Sequence, residues 1–533
     1  MNHFKIIFFI FFSVLLTNCA KRGMPEGGPK DENPPVLIKA VPEINTTRFK
    51  EKRIRLFFDE YIKLDDFRNQ LVVSPPIDKN IYTINPQSGA SKYIQIDINK
   101  NLSDNSTYVF NFGESVVDNN EGNVLPFFKY VFSTGGYIDS LKITGNVKSV
   151  FNRKTEEYIS TLLYPIDENF SDSIIYHSLP RYVGSTLDTT SYEISNIKEG
   201  KYLMIALNDI NKNLLFDPEF EEIGFIENYI ELPLEEELNF NLFREELEFE
   251  VFKPFLESNN KISFGFKGNP SGAKISIADD LLTNNNYIVT RDPEKDTINF
   301  WVNDIKYDSL VFNVTKNNYQ KSYTLKYKKK EKDSLILKSN IENTLDLDNN
   351  FKILSNIPLN LIGDDFISLL NKDSIAIPFK SEISKNKYEL IFDFEVIPNE
   401  KYKLSLYPNA ITSFLGFTND SIHYSFSTKK KSDYGTIRLN ISNEKASPLI
   451  VQLTSFDEEV IKEKIVSSND VYCVFKNIKP SKYFLKIIVD KNKNGKWDTG
   501  SFIKKIKPEK TYHIEKEFDV RANWILDERI NLD

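Results

Sequence analysis

The chain has 533 residues, enough for about four or five domains of ordinary size. Phe (41 residues) and Tyr (26) supply most of the aromatic side chains while Met is scarce (3), and this bias favours half-buried strands over helices. The formal net charge is −8 and no basic stripe stands out, which argues against nucleic acid as a partner. The composition therefore predicts an all-β protein of several domains.

The first 19 residues predict a lipoprotein signal peptide. Lys5 precedes an apolar run at 6–16 that is too short to span a bilayer but has the length of a signal-peptide core. The segment ends Leu-Thr-Asn-Cys and resembles a bacterial lipoprotein box, in which the cysteine after the cleavage site is acylated. The resemblance implies that Cys19 is a lipid anchor, and residues 20–35, rich in Gly and Pro, predict a flexible tether. The alternative is an ordinary signal peptide with an incidental cysteine.

Residues 36–135 predict the first β-sandwich, because apolar and polar residues alternate at 94–99 and in other short segments between turns. Three pieces carry a family resemblance: Asn-Ser-Thr-Tyr at 105–108, the turn at 118–123 and Phe-Ser-Thr at 132–134. They resemble the bacterial Ig-like domain found in S-layer proteins. The resemblance implies a spacer or interaction module without known chemistry.

Residues 138–230 predict a second sandwich, in which Tyr-Glu-Ile-Ser-Asn-Ile at 192–197 leads to Gly-Lys-Tyr at 200–202. This segment resembles the carboxypeptidase-regulatory or transthyretin-like sandwich. The resemblance implies a fold and no peptidase activity, because the regulatory module is the non-catalytic part of those enzymes. Residues 231–340 alternate again and predict a middle sandwich without a named relative.

The last two predicted domains, 341–430 and 431–533, repeat the first two. Tyr402 repeats Tyr108 at an offset of 294 residues, and the Tyr-x-Phe-Ser-Thr strand recurs at the same offset. In the other pair, Tyr483 repeats Tyr202 at an offset of 281. The acidic turn of the first Ig-like copy is missing from the second, so it is not a shared site. The predicted architecture is a tandem array of about five β-sandwiches, Ig-like and transthyretin-like.

Both transthyretin-like domains contain an Asp-x-Asn-x-Asn loop with another Asp four residues later. Counted from the first Asp, side-chain oxygens fall at positions 1, 3, 5 and 9, the spacing at which an EF-hand loop presents ligands to Ca²⁺. The second loop also has Gly495 at position 6, where that loop turns sharply. The candidate metal ligands are Asp209, Asn211, Asn213 and Asp217 in the first loop and Asp490, Asn492, Asn494 and Asp498 in the second.

Other features of the two loops oppose calcium. Position 12 holds Phe220 or Ser501 where an EF-hand has Glu, although Glu221 or Glu222 could supplement the first loop. Asn at two positions lowers the ligand charge, so any affinity is expected to be weak, on the order of 10⁻⁴ to 10⁻³ M. The alternative is an Asx-rich loop whose side chains bind their own backbone, and the sequence leaves both interpretations open.

Catalytic groups are scarce. His177, His423 and His513 fall in three different predicted domains, which opposes a His-based triad or a multi-His metal site. No nucleophile elbow, phosphate loop or dinucleotide fingerprint occurs in the sequence. Paired carboxylates for glycoside hydrolysis are left open by the 76 acidic residues, but no pair is marked. The sequence therefore predicts a protein that is not an enzyme.

Three further patterns bear on ligands and modification. The tryptophans Trp301, Trp497 and Trp524 are candidates for a sugar platform, with core or loop plug as the more ordinary role. Cys473, inside an apolar run, predicts a small buried hydrophobe. A repeated Asp-Ser/Thr-aliphatic (or Thr) pattern resembles the O-glycosylation signal of the Bacteroidetes. Its candidate acceptors are Ser140, Ser173, Thr189, Thr297, Ser309, Ser334, Ser374 and Ser421.

The sequence as a whole predicts a non-enzymatic outer-membrane lipoprotein of the Bacteroidetes type that acts as a modular scaffold for protein interactions. Its expected partners are membrane lipid, through acylated Cys19, and other outer-membrane or surface proteins; calcium is the only cofactor considered. The alternatives are an accessory subunit of an outer-membrane assembly or transport complex, a glycan-binding surface lipoprotein, and a carboxylate-dependent hydrolase. The location is the periplasmic face of the outer membrane or the cell surface.

Overall fold

The structure is a computed structural model. It describes residues 30–187, 189–277, 286–292, 295–303, 308–328, 330, 333–443, 447–466 and 470–532. The predicted signal peptide and Cys19 lie outside these residues. Strands dominate, as predicted, and the helical parts are α1 (Phe67–Gln70) and short 3₁₀ turns at Asp172–Tyr176, Asp364–Phe366 and Lys431–Asp433. No helix in the described part of the chain is long and apolar enough to cross a membrane.

Module 1 (residues 37–133) is a sandwich of two sheets. Its strands are β1 Leu37–Val41, β2 Arg53–Leu64, β3 Val72–Ser74, β4 Tyr82–Asn85, β5 Ser91–Ile98, β6 Thr107–Asn111, β7 Val116–Asp118 and β8 Lys129–Ser133. One sheet has the order β1-β2-β5-β4 with β7 also beside β2, and the other has the order β3-β6-β8. Alternate residues such as Ile54, Leu56 and Ile96 are fully buried between the sheets, as a strand's period of two requires.

Module 2 (residues 141–242) is the second sandwich. Its strands are β9 Leu141–Ser149, β10 Ser160–Pro165, β11 Tyr182–Ser185, β12 Ser191–Ile197, β13 Gly200–Leu207, β14 Ile223–Phe225, β15 Ile230–Leu232 and β16 Phe240–Leu242. One sheet has the order β11-β10-β13-β14 with β15 also beside β13, and the other has the order β12-β9-β16. Because β16 pairs in parallel with β9, the hydrogen-bonded module extends past residue 230 to Leu242.

Module 3 (residues 250–326) is the middle sandwich. Its strands are β17 Glu250–Val251, β18 Phe255–Leu256, β19 Lys261–Lys267, β20 Lys274–Ile277, β21 Tyr287–Arg291, β22 Thr297–Val302, β23 Ser309–Lys316 and β24 Tyr319–Lys326. One sheet has the order β17-β19-β22-β21 with β18 also beside β19, and the other has the order β20-β23-β24. Phe264, Phe300 and Phe312 fill the space between the sheets with edge-to-face ring contacts.

Modules 4 (residues 337–428) and 5 (residues 435–532) complete the array. The strands of module 4 are β25 Leu337–Ser339, β26 Thr344–Leu345, β27 Phe351–Ser355, β28 Leu359–Ile362, β29 Ile367–Asn371, β30 Phe379–Ile383, β31 Glu389–Phe394, β32 Lys401–Leu406, β33 Ile411–Ser413 and β34 Ile422–Thr428. Those of module 5 are β35 Gly435–Asn443, β36 Leu449–Thr454, β37 Val460–Val466, β38 Asp470–Ile478, β39 Ser481–Val489, β40 Thr511–Val520 and β41 Ile525–Leu532. The principal sheets are β25-β27-β31-β30 and β26-β34-β32-β29 in module 4, and β38-β35-β41 and β37-β36-β39-β40 in module 5.

Strand pairing repeats between modules 1 and 4 at the offset seen in the sequence. Tyr108 pairs with Phe132 across β6 and β8, and their rings stack with centroids 5.5 Å apart. Tyr402 pairs with Phe426 across β32 and β34, and their rings stack at 5.3 Å. The two pairs are related by 294 residues. The repeat in sequence is therefore a repeat of register and of core packing.

Modules 2 and 5 repeat one another in the same way. The Tyr202 hydroxyl donates to the Lys198 carbonyl at 2.8 Å, and the Tyr483 hydroxyl donates to the Lys479 carbonyl at 2.9 Å, 281 residues later. In both modules the last strand pairs in parallel with the first, β16 with β9 and β41 with β35. Cys473 is buried in the core of module 5, and burial raises the pKa of its thiol.

Module 5 packs against module 2, so the array folds back on itself. The Lys486 ammonium donates to the Phe151 carbonyl at 2.8 Å, and the Arg153 amide donates to the Glu458 carboxylate at 2.9 Å. Phe502, from the connection between β39 and β40, is fully buried within a hydrophobic cluster of module 2. Modules 2 to 5 therefore form a closed ring, because the chain links them in order and this contact joins the ends.

Three other joints between neighbouring modules include polar contacts. At the joint of modules 1 and 2, the Arg181 guanidinium donates to the Ser106 hydroxyl at 2.7 Å. At the joint of modules 3 and 4, the Tyr388 hydroxyl is buried and accepts from Trp301 Nε1 at 2.7 Å. At the joint of modules 4 and 5, the Lys479 ammonium lies 2.8 Å from the Asp346 carboxylate.

Candidate functional site

The first Asx loop (residues 209–217) follows β13 and closes largely on its own backbone. The Asp209 carboxylate accepts the Asn213 amide at 3.0 Å through Oδ1 and the Leu214 amide at 2.8 Å through Oδ2. Asn213 Oδ1 accepts the Leu215 amide at 2.7 Å, and Asp217 begins the turn that leads to β14. These are the Asx turns that the sequence allows without a ligand.

Glu221 follows this loop and folds back against it, whereas the sequence pattern predicts for it only a supplementary role. Phe220, at position 12, is 59 % exposed, while Glu221 is fully buried. A turn in which the Glu221 amide donates to the Asp217 carbonyl at 3.0 Å points the Glu221 side chain back into the loop. Its Oε2 accepts the Asp217 amide at 2.9 Å, and its Oε1 finds no hydrogen-bond partner among the described residues.

Charge accumulates in the first loop. Burial raises the pKa of Glu221 above its usual value, the backbone amides of Asp217 and Asn211 oppose that rise, and the negative charges of Asp209 and Asp217 add to it. Burial also raises the pKa of Asp209, against the lowering effect of its backbone hydrogen bonds. Glu222 is not part of this cluster. Burial raises its pKa above the usual value, and the positive charge of Arg244 opposes part of that rise. The loop thus holds three neighbouring carboxylates in partly desolvated surroundings.

The second Asx loop (residues 490–498) has the same turns but satisfies its side chains. The Asp490 carboxylate accepts the Asn494 and Gly495 amides, at 3.1 and 2.9 Å. Asp498 Oδ2 accepts from the amide groups of both Asn492 and Asn494. Its carboxylate therefore faces hydrogen-bond donors within the loop.

Glu509 takes the place in the second loop that Glu221 takes in the first. Glu509 Oε2 accepts the Asp498 amide at 3.1 Å, as Glu221 Oε2 accepts that of Asp217. Glu509 Oε1 accepts the Lys491 amide at 2.7 Å, whereas Glu221 Oε1 is unpartnered. Glu509 lies beyond the 12 residues of an EF-hand loop counted from Asp490, so the sequence pattern does not include it.

Each loop lies at a joint between modules. In the first, Lys212 donates to Asn69 of module 1. In the second, the Trp497 ring packs on Phe151 of module 2 with centroids 5.4 Å apart, and the Thr499 hydroxyl donates to the Arg244 carbonyl at 2.5 Å. Both loops therefore contact a neighbouring module.

The other candidate residues, the tryptophans and the predicted glycosylation sites, differ in their exposure to solvent. Trp301 is buried at the joint of modules 3 and 4, and Trp497 is half-buried. Trp524 is 53 % exposed, and the Arg521 guanidinium lies over its ring, 5.1 Å from the centroid. The predicted glycosylation sites other than Thr297 are exposed, and Thr297 is half-buried in β22. Among the described residues, no group of three His, Cys, Asp or Glu side chains is already arranged to hold a metal ion.

A basic cleft of about 780 Å³ lies between modules 2 and 5. It is notable in a chain of net charge −8, because its basic lining residues outnumber the carboxylates Glu157 and Glu515. His513 also lines it, with Nε2 3.0 Å from the Val150 carbonyl, and burial lowers the pKa of this imidazole. The basic lining residues are Lys148, Arg153, Lys154, Lys491, Lys507 and Lys510.

Residues 31–134, which form module 1, match the family model of the bacterial Ig-like domain. This confirms the Ig-like part of the resemblance seen in the sequence. No curated protein is similar enough to the chain to count as a relative.

Solved structures of multi-domain β-proteins are also similar to the chain. Native α-2-macroglobulin from Escherichia coli, domains MG0-NIE-MG1, is 11 % identical over 36 % of this chain and 91 % of its own, with a TM-score of 0.17. The S-layer protein rSbsC(31-844) is 10 % identical over 89 % and 67 %, with a TM-score of 0.15. The titin I-band fragment I67-I69 is 14 % identical over 53 % and 98 %, with a TM-score of 0.12.

Proposed function

We propose that the protein is a non-enzymatic, lipid-anchored scaffold of a bacterial outer membrane that braces or presents surfaces for other proteins. The observation that carries the proposal is the docking of module 5 on module 2, which turns a string of sandwiches into a closed ring. A ring holds its outward surfaces at fixed mutual positions, as a scaffold requires. The Ig-like match of residues 31–134 supports the same role.

The lipid anchor is tested by comparing the wild-type chain with Cys19→Ala in cells. We expect palmitate labelling and membrane fractionation of the wild type, and loss of both in the variant. A wild-type chain that carries no label would refute the anchor. Protease treatment of intact cells then decides between the cell surface and the periplasmic face.

The scaffold role is tested by cross-linking in cells followed by extraction in mild detergent. We expect a defined outer-membrane protein to co-purify with the wild type and to be depleted by Phe502→Ala, which opens the ring. A barrel protein as the partner would favour the accessory-subunit form of the proposal. Equal recovery of partners with the two chains would contradict a role for the closed ring.

The basic cleft favours one second candidate, the binding of an acidic glycan. Lysines from both modules face a space large enough for a small saccharide, and acidic groups are the ligands such a lining attracts. An array of acidic glycans is the test, with Lys154→Ala and Lys491→Ala as variants, since both side chains are exposed. Trp497→Ala is a poor probe because it would also disturb the joint with Phe151.

A further inference from the structure

Among the described residues, none of the three carboxylates of the first Asx loop and the turn after it (Asp209, Asp217 and Glu221) forms an ion pair. Glu221 is fully buried, its Oε2 accepts the Asp217 amide, and its Oε1 is unpartnered among the described residues. The negative charges of Asp209 and Asp217 raise the pKa of Glu221, and the positive charge of Lys79 lowers the pKa of Asp209. Buried carboxylates in proteins are normally paired with a cation or bound to a metal.

We propose that the first Asx loop is a calcium site, with Asp209, Asp217 and Glu221 as its charged ligands. Ca²⁺ takes six to eight oxygens and accepts carboxylates, amide oxygens and main-chain carbonyls together. Asn211 and Asn213 supply amide oxygens at positions 3 and 5, so the carboxylates need to provide only part of the shell. Glu221 replaces the Glu that an EF-hand carries at position 12.

The second Asx loop is not assigned as a site. Both oxygens of Glu509 accept backbone amides, and Asp498 accepts from two side-chain amides of its own loop. A cation would have to displace the side-chain amides from Asp498, whereas in the described part of the first loop Asp209 and Asp217 accept backbone amides and Glu221 Oε1 is unpartnered. The two loops have the same pattern in sequence, and the acidic residue that folds back into each one distinguishes them.

The test is calcium titration calorimetry and thermal unfolding of the intact chain after treatment with EGTA. We expect one ion per chain with a Kd on the order of 10⁻⁴ to 10⁻³ M, the range of extracellular modules, and a rise in melting temperature with calcium. Glu221→Gln should weaken binding by at least about tenfold, since it removes a ligand charge. Its calcium-free melting temperature should not fall, because the substitution removes a buried, unpaired charge.

Glu509→Gln is the matched control in the second loop. It should lower the calcium-free melting temperature, because Glu509 accepts two backbone amides, and it should leave the single calcium site intact. A purely structural role for Glu221 predicts the reverse for Glu221→Gln, with a lower melting temperature and unchanged binding, and that result would overturn the proposal. So would the absence of binding at several millimolar calcium, or two equal sites per chain.

Discussion

The closure of the ring depends on Phe502, and its replacement by Ala is the sharpest test of the arrangement. The side chain is fully buried, meets the Phe225 ring edge-on with centroids 5.6 Å apart, and lies in a cluster with Phe243. Burying a Phe side chain contributes about 1.5 to 3 kcal/mol and an edge-to-face pair adds about 1 kcal/mol. Phe502→Ala should therefore weaken docking by about 3 kcal/mol, which is roughly 150-fold in the docking equilibrium.

Hydrogen exchange at the Arg153 amide measures this docking directly. That amide belongs to module 2 and donates to Glu458 of module 5, so it is protected only while the modules are docked. Its exchange should accelerate by about the same factor in Phe502→Ala, while amides within β39 keep their protection. Ile503→Ala, at a neighbouring residue that is 51 % exposed, is the control and should change nothing. Unchanged protection of Arg153 in Phe502→Ala would refute the reasoning.

Three other predictions concern stability, each measured by urea unfolding. Tyr388→Phe should cost about 1 to 3 kcal/mol, because it leaves the buried Trp301 indole without its acceptor. Gly495→Ala should cost about 1 kcal/mol, since φ at this position is +74° and an added Cβ strains it. Burial lowers the pKa of Lys486 to about 8, so above pH 8 the unfolded chain binds more protons and stability should rise with pH until about 10.5, by up to about 3 kcal/mol. Lys486→Met should lack that rise, and an identical pH profile in the variant would refute it.

The repeated modules could be predicted from the sequence because their cores are built from local alternation. The stacked pair of Tyr108 and Phe132 recurs as Tyr402 and Phe426, and the constant offset in the sequence identifies the two pairs as counterparts. The parallel pairing of β16 with β9 was not foreseen, since a three-residue strand carries too little pattern to mark its partner.

The proposed calcium ligands were only partly predictable. The spacing in the sequence identified Asp209 and Asp217 as candidates. An EF-hand loop carries its last acidic ligand at position 12, which in this chain is the exposed Phe220. The turn that begins at Asp217 brings Glu221, instead of residue 220, back to the loop. The sequence alone does not predict that turn. In the second loop the corresponding residue, Glu509, lies at the far end of the connection to β40. It is distant from the loop in sequence and approaches it only in the folded chain.

The docking of module 5 did leave a signal in the sequence. The central strands β13 and β39 are nearly continuous apolar runs, which is typical of strands buried on both faces. In an isolated antiparallel sandwich, by contrast, one face of each strand is exposed to solvent. In module 2 the outer face of β13 is covered by its own loops and by Phe502. In module 5 the outer face of β39 carries Lys486 where module 2 has Ile205, and it is covered by the Phe151 region of module 2. Each of the two repeated modules thus has an outer sheet face that must be covered. The outer face of module 5 is covered in part by module 2.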